Sequence, residues 1–308
     1  MPHYLSYRSY LEKRFGTSVL KIPLNAGFSC PNRDGTISSD GCSFCDNRSF
    51  SPVAVVSESL IDQMDSAVTK DRGKHTAFIA YLQPFSNTYG DRQRLESAYE
   101  PLIQYPGVVG LAVGTRPDCF SKETFEYLKE ISTRTYLSVE IGLQSSNEAA
   151  LAHNRRGHDR TSFASAVREL SDRRIKTVAH VMIGLPTGEG TEPPPDTRED
   201  VVKTAQFLAS LPVSGIKIHQ LMIIRGTAMQ QWFERGEIAP LSLEEYAELL
   251  CSFLAHVRPD QHIHRIMADS SEKCGLIAPL WSAQKMKSIG YIHGVMDKKN
   301  LVQGENYI

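Results

Sequence analysis

The sequence predicts an α/β fold in which a parallel sheet carries its helices on the outside. Three observations lead there. Short β-rich apolar runs alternate with longer stretches whose apolar residues recur at helical spacing. The runs are apolar at consecutive positions, as strands covered on both faces are. About six strand–helix units fit before the rhythm changes, which favours a closed or partial barrel over a flat sheet. A doubly wound sheet is the competing topology, because the boundaries of the runs suit both.

The elements follow in order. SVLKIPL (18–24) is the first strand. TAFIAYL (76–82), GVVGLAV (107–113), TYLSVEIGL (135–143), IKTVAHVMIGL (175–185) and SGIKIHQLMII (214–224) are the next five. ESLIDQMDSAVTKDR, DRQRLESAYEPLIQY, SKETFEYLKEIS, DRTSFASAVRELSDR and TREDVVKTAQFLASL lie between them as helices. Several of these open on Asp, Ser or Thr, residues that cap a helix N-terminus. TGEGTEPPPDTR (187–198) is too rich in Gly and Pro for a helix and is expected at the strand-end rim. After residue 226 SLEEYAELLCSFLAHV reads as one amphipathic helix, QHIHRIMA as a further strand, and residues 282–308 as a polar tail. The division expected is a barrel over 1–228, with an N-terminal extension over 1–17, and a C-terminal appendage over 229–308 packed on it.

Composition narrows the class. The chain has 308 residues, 41% hydrophobic and 22% charged, as a globular protein has. A formal net charge of −1 does not announce a nucleic-acid binder, although a basic face can sit on a neutral protein. No apolar run reaches the length of a membrane span, and MPHYLSYRSYLEKRFG lacks the apolar core of a signal peptide. A cytoplasmic protein with reduced thiols and no membrane partner is expected.

Chemistry concentrates in CPNRDGTISSDGCSFC (30–45). Three of the six cysteines, Cys30, Cys42 and Cys45, fall there, and Cys119, Cys251 and Cys274 are scattered. Asp34-Gly35 and Asp40-Gly41 favour tight turns that fold the loop back on itself. A zinc site wants a fourth ligand, and neither His nor Cys occurs between residues 46 and 74. A thioredoxin-like pair would leave Cys30 without a role. A 4Fe–4S cluster held by three cysteines explains the number and leaves one iron open to a ligand. Zinc and a structural or redox role remain the alternatives on spacing alone.

NAGFSCPNRDGTISSDGCSFCDN resembles the cluster loop of radical SAM enzymes, and specifically that of the YhcC-like family in the elongator-type branch. LQPFSNTY, GTRPDC, VEIGLQS, HVMIGLPTGE, IKIHQLMIIRGT and IAPLWS follow in that family's order. The resemblance implies a partial (β/α)6 TIM-type barrel of the radical SAM kind with a C-terminal extension. It implies a 4Fe–4S cluster on Cys30, Cys42 and Cys45, and S-adenosylmethionine chelating the open iron. One electron, from a donor such as flavodoxin or ferredoxin, would cleave the sulfonium to a 5′-deoxyadenosyl radical that abstracts hydrogen from substrate.

The same resemblance suggests roles for other residues. Phe44 would lie near the adenine. The superfamily's Gly-Gly-Glu-like segment is replaced here by Gln83-Pro84-Phe85-Ser86-Asn87, so Gln83 and Asn87 become candidates for the SAM amino group. Glu140, a carboxylate inside an apolar strand, needs a partner when buried. It would touch the SAM ribose or amino group, or pair with Arg116. Gln144 and Ser145 follow at the same strand end. Arg116 would bind a SAM carboxylate or a substrate phosphate, or pair with Asp118. His219 ranks above His180 as a catalytic or substrate-binding histidine, and Arg225 and Thr227, beside Gly226, would contact substrate. Cys119 would supply a hydrogen atom or stay a buried inert thiol.

For the substrate, the elongator-type branch favours tRNA, with a modified wobble uridine as the specific expectation. SYRSYLEKRFG mixes basic and aromatic residues as RNA contacts do, and HNRRGHDR (153–160) and MDKKN (296–300) add basic patches. A radical SAM enzyme acting on a small metabolite is one alternative. A non-catalytic iron–sulfur or zinc protein is the other.

Overall fold

The computed structural model describes residues 2–46, 58–188 and 196–307. Most of the Gly/Pro-rich stretch read as a rim loop, residues 189–195, lies outside them. Seven parallel strands form one curled sheet: β1 (Val19–Leu24), β2 (Ala77–Leu82), β3 (Val108–Thr115), β4 (Tyr136–Gln144), β5 (Lys176–Ile183), β6 (Gly215–Gln220) and β8 (His262–Arg265), in that spatial order. The run 214–224 divides into β6 and the short β7 (Ile223–Ile224), which leaves the sheet to pair antiparallel with β9 (Leu276–Ala278). The architecture is the partial TIM-type barrel, and the doubly wound alternative falls, because successive strands are neighbours with no reversal of order.

The expected helices cover the convex face: α2 (Leu60–Asp71), α3 (Arg92–Ile103), α4 (Lys122–Arg134), α6 (Arg160–Asp172) and α7 (Arg198–Ala209). Ser59, Asp91, Ser121, Asp159 and Thr197 cap them, each accepting from a backbone N–H in the first turn. Strand parity then divides the molecule. Leu137, Val139, Ile141 and Leu143 of β4 join the helix-side core with Tyr127, Phe163 and Leu170. The alternate residues Tyr136, Ser138, Glu140, Gly142 and Gln144 lie on the concave face, and all nine residues of the strand are buried.

Three regions differ from the sequence reading. The N-terminal extension is α1 (Tyr7–Phe15), capped by Ser6 and ended by Gly16 at φ 69°. Of its aromatic residues, Tyr10 and Phe15 are half-buried against the cluster that Tyr7 joins. Tyr7 is buried against Leu11, Ile79, Tyr81 and Tyr136, at the strand-start end of the barrel. The segment after residue 228 forms the strand and the helix read in it, and that strand, β8, joins the sheet itself, with α9 (Leu243–His256) packed against α7. The polar tail contains α10 (Lys285–Lys299), whose Ser288, Ile292 and Met296 are buried. Two short helices, α5 (Glu148–His153) and α8 (Ala228–Glu234), complete the set used below.

Candidate active site

The cysteine loop leaves the C-terminal end of β1 and folds over the strand ends, where sites of this architecture lie. Both Asp-Gly turns form as read: Gly35 and Gly41 have φ of 91° and 75°, a region open to glycine at little cost. The loop is clamped from the segment after α5. Ser43 donates to the Asn154 side chain at 2.8 Å, and its backbone N–H donates to Asn154 O at 3.2 Å. Arg156 Nη1 lies 3.0 Å from Cys42 Sγ, and Asn32 Nδ2 lies 3.4 Å from it. Only part of HNRRGHDR faces outward: Arg156 is buried, while exposed Arg155 approaches Asp40 at 3.6 Å and exposed Arg160 approaches Glu148 at 3.5 Å.

Cys30, Cys42 and Cys45 line one cavity with Phe44, Gln83, Phe85, Arg116, Glu140, Gln144 and Arg156 among others. A second cavity runs into the barrel lumen, lined by Tyr81, Met182, Lys217, His219, Met222 and Arg265. Phe44, Cys45, Gln83, Gln144 and His180 line both, so the two meet across these five side chains. Burial and the neighbouring Cys42 push the Cys45 thiol up to about 12.

The lumen is ionic. Glu140 is fully buried and is held by Lys21 Nζ, by Lys217 Nζ at 3.0 Å and by His180 Nε2–H at 2.7 Å. Its partner is not Arg116. Burial alone would raise this carboxyl, yet the two lysines and His180 hold it well below the usual carboxylate range. Lys217 also donates to Tyr81 O–H at 2.9 Å, and burial brings its pKa down to about 7. Burial lowers His180 to about 4 and His219 well below its ordinary value, so both imidazoles are neutral at pH 7. A bulge between β6 and β8 sets Lys217 beside Arg265. His264 reaches toward Glu140 and stacks on Tyr7, ring centroids 3.6 Å apart.

The remaining expected residues divide. Gln83 and Gln144 line both cavities; Gln144 sits at φ 75°, and its buried Oε1 has no hydrogen-bond partner. Arg116 grips Asp118 through Nε at 2.9 Å and Nη2 at 2.8 Å, and leaves a buried Nη1 without a partner in the cysteine cavity. Asn87 lines neither cavity. Its amide is committed to Leu82 O, Pro84 O and Gly114 O, which tie the ends of β2 and β3 together. Cys119 is likewise off both cavities, buried, with its thiol pushed up to about 12. Thr227 caps α8 and Arg225 is exposed outside the lumen. Sequence reasoning missed Lys21, Lys217, Arg265 and Arg156. A charged residue at an inward position of an otherwise apolar strand was the available signal for the lysines, the same signal that singled out Glu140.

Thiols on one wall and a shielded polar interior beside them are what radical SAM enzymes need from their fold. Sequence comparison places the chain in that class. The model of the radical SAM superfamily matches residues 30–208, and that of the Radical_SAM C-terminal domain matches residues 213–298. The chain belongs to the radical SAM superfamily and, within it, to the YhcC-like family. It is 34% identical to the uncharacterized protein YtqA of Bacillus subtilis, over 98% of this chain and 92% of that one. It is 36% identical to protein YhcC of Escherichia coli K12, over 88% and 85%. A tRNA uridine(34) acetyltransferase of Methanocaldococcus infernus is 31% identical over 49% of this chain but only 27% of its own length. Among solved structures, the archaeal Elp3 of Methanocaldococcus infernus superposes with a TM-score of 0.66 at 17% identity, covering 92% of this chain and 64% of that one.

Membership brings the superfamily's cofactors, a 4Fe–4S cluster and S-adenosylmethionine. The residues fit them. Three thiols share one cavity, two N–H groups already approach the Cys42 sulfur, and buried N–H groups of Arg116 and Arg156 stand there without partners. Cations with unspent donors suit an anionic cluster and a carboxylate. Among the described residues no three His, Cys, Asp or Glu side chains gather as ligands of one metal ion. No helix of those residues is long and apolar enough to cross a membrane.

Proposed function

We propose that this enzyme generates its radical on the Cys30, Cys42 and Cys45 wall and directs it at a uridine of tRNA held over the lumen. The carrying observation is the junction of the two cavities through Phe44, Gln83, Gln144 and His180. When bound, the cluster and S-adenosylmethionine supply a 5′-deoxyadenosyl radical. This chain's own residues bind, orient and shield. Gln144 Oε1, an unspent buried acceptor, takes the SAM amino group together with Gln83. Arg116 Nη1 takes the SAM carboxylate, with Asp118 fixing the guanidinium plane. Phe44 covers the adenine. Met182, Met222 and Ile224 keep water from the lumen, so a reactive carbon radical meets substrate before solvent.

The tRNA assignment is supported by the partial match to the tRNA uridine(34) acetyltransferase and by the fold shared with Elp3. A recessed lumen takes a single unstacked nucleotide, the way base-modifying enzymes reach a target atom. The test is anaerobic reconstitution with iron and sulfide, followed by dithionite and SAM, with 5′-deoxyadenosine quantified. Wild type forms it, Cys42→Ala does not, and unmodified or partly modified tRNA raises the rate. Product from Cys42→Ala, or none from a fully loaded wild type with tRNA present, refutes the radical reading. A rate indifferent to every tRNA fraction refutes the substrate.

A further inference from the structure

The lumen holds more positive charge than its acid can balance. Lys217 and Arg265 line it, Lys21 stands beneath them, and Glu140, on the side of the cysteine cavity, is the carboxylate that both lysines hold. Glu140 is committed to both lysines and His180. Arg265 is left over. Its Nε is shut off from solvent without a partner, and the guanidinium makes no hydrogen bond or ion pair among the described residues. The acid beyond it, Asp269, is exposed and pairs with Lys285 at 2.8 Å. Lys217 has spent two of its three N–H donors, on Tyr81 and Glu140. The surrounding wall is partly apolar, through Met182, Met222, Ile224 and Ala268; of its polar side chains Tyr81 accepts from Lys217, and none bonds Arg265. Arg265 is half-buried with only its Nε shut off, and an anion in the cavity would supply the partner that the described residues do not.

We propose that Arg265, with Lys217 beside it on the adjacent strand, is a recognition site for a carboxylate carried by the substrate. The inference rests on the radical SAM reading of the site and extends it by naming a group that a carboxylate-bearing modified uridine would bring to the lumen. A planar fork of unspent N–H donors matches a carboxylate's two oxygens. The position suits substrate rather than cofactor. Arg265 lines the lumen cavity and not the cysteine cavity, where Arg116 and Arg156 supply the cations.

The test uses reconstituted holoenzyme, with SAM present and in a second arm without it, and the melting temperature as readout. Acetate is titrated against chloride at matched ionic strength, with inorganic phosphate as a separate arm. A ligand of the folded state raises the midpoint with concentration, and acetate well above its dissociation constant should give a rise of about 2 °C or more over chloride. The rise is expected in wild type, is lost in Arg265→Gln and is partly kept in Arg265→Lys. Acetate indistinguishable from chloride in wild type overturns the proposal without recourse to any variant. So does a rise retained in Arg265→Gln. A rise seen only without SAM assigns Arg265 to the cofactor's carboxylate and overturns it too. An equal or larger rise with phosphate reassigns the site to a phosphate. None of these readings needs turnover or tRNA, so their failure is separate from failure of the tRNA assignment.

Discussion

Glu140→Gln tests the lumen most directly. The exchange keeps the shape and removes the only carboxylate among Lys21, Lys217 and Arg265. Breaking a buried ion pair by neutralising one partner costs about 3–5 kcal/mol, because the surviving charge stays buried. Here two lysines survive, so the upper half of that range applies while both are protonated. At about 2 °C per kcal/mol for a chain of this size, the melting temperature falls by about 8–10 °C. The loss depends on pH, and the sign is fixed. Burial holds folded Lys217 near 7, below its ordinary 10.5, so the unfolded chain binds the extra proton between those values. That term therefore adds stability as pH rises through the window. Without Glu140 the folded pKa drops further, and the window opens at lower pH. The variant then gains stability from pH 6 upward where wild type does not, and its deficit is largest at pH 6 and smaller at pH 9. Urea denaturation at both values measures it. A deficit below about 1 kcal/mol at pH 6, or one that is unchanged at pH 9, refutes the charge balance described for the lumen.

Other consequences follow from single contacts. Arg156→Gln removes a cation and an N–H from Cys42 Sγ; the cluster should load with full iron content, and its midpoint potential, followed by electron paramagnetic resonance, should fall by on the order of tens of millivolts. An unchanged potential would mean that the 3.0 Å approach carries no electrostatic weight. Tyr7→Ala deletes a buried ring stacked on His264 and should cost about 3–5 kcal/mol in denaturant titration. A loss under 1 kcal/mol would show that α1 is not part of the cooperative fold. Cys119→Ala should form 5′-deoxyadenosine at the wild-type rate, since the thiol reaches neither cavity; a large loss would bring it back as a hydrogen donor.

The strands were legible because a strand covered on both faces is apolar throughout, a pattern little else produces at that length. The cysteine loop was legible because three thiols and two Asp-Gly turns are local features. What the sequence withheld was set by curvature. Lys21 in VLKIPL and Lys217 in GIKIHQ each read as one polar residue on a strand. They meet Glu140 only when the sheet curls and brings β1, β4 and β6 around one axis. Arg156 sits in a basic run, and such runs are usually solvated. Its burial depends on a sulfur 114 positions away in sequence. α10 was missed because its buried side chains, Ser288, Ile292 and Met296, are sparse among lysines. Asn87 spends its N–H groups on backbone carbonyls and Thr227 spends its hydroxyl as a cap, as polar residues at strand and helix ends often do.

An open seven-stranded sheet leaves β1 and β8 as edges, and the N-terminal segment addresses both. Ser6 bridges to Ile263 in parallel fashion and Leu5 O accepts from Ile263 N–H at 2.7 Å, which covers the β8 edge. α1 then packs against β1 and β8 together, so Tyr7 closes the base of the lumen beneath His264. A closed TIM barrel fills its interior with branched apolar side chains. This one replaces part of that filling with Glu140, the lysines and the histidines, and the exchange is tolerable because Glu140 is paired with Lys21, Lys217 and His180; half-buried Arg265 has no such partner among the described residues. Stability alone gives no reason to leave Arg265 out of that pairing. Arg265 sits in the cavity adjoining the thiol wall, where a bound molecule would supply the partner that the described residues do not.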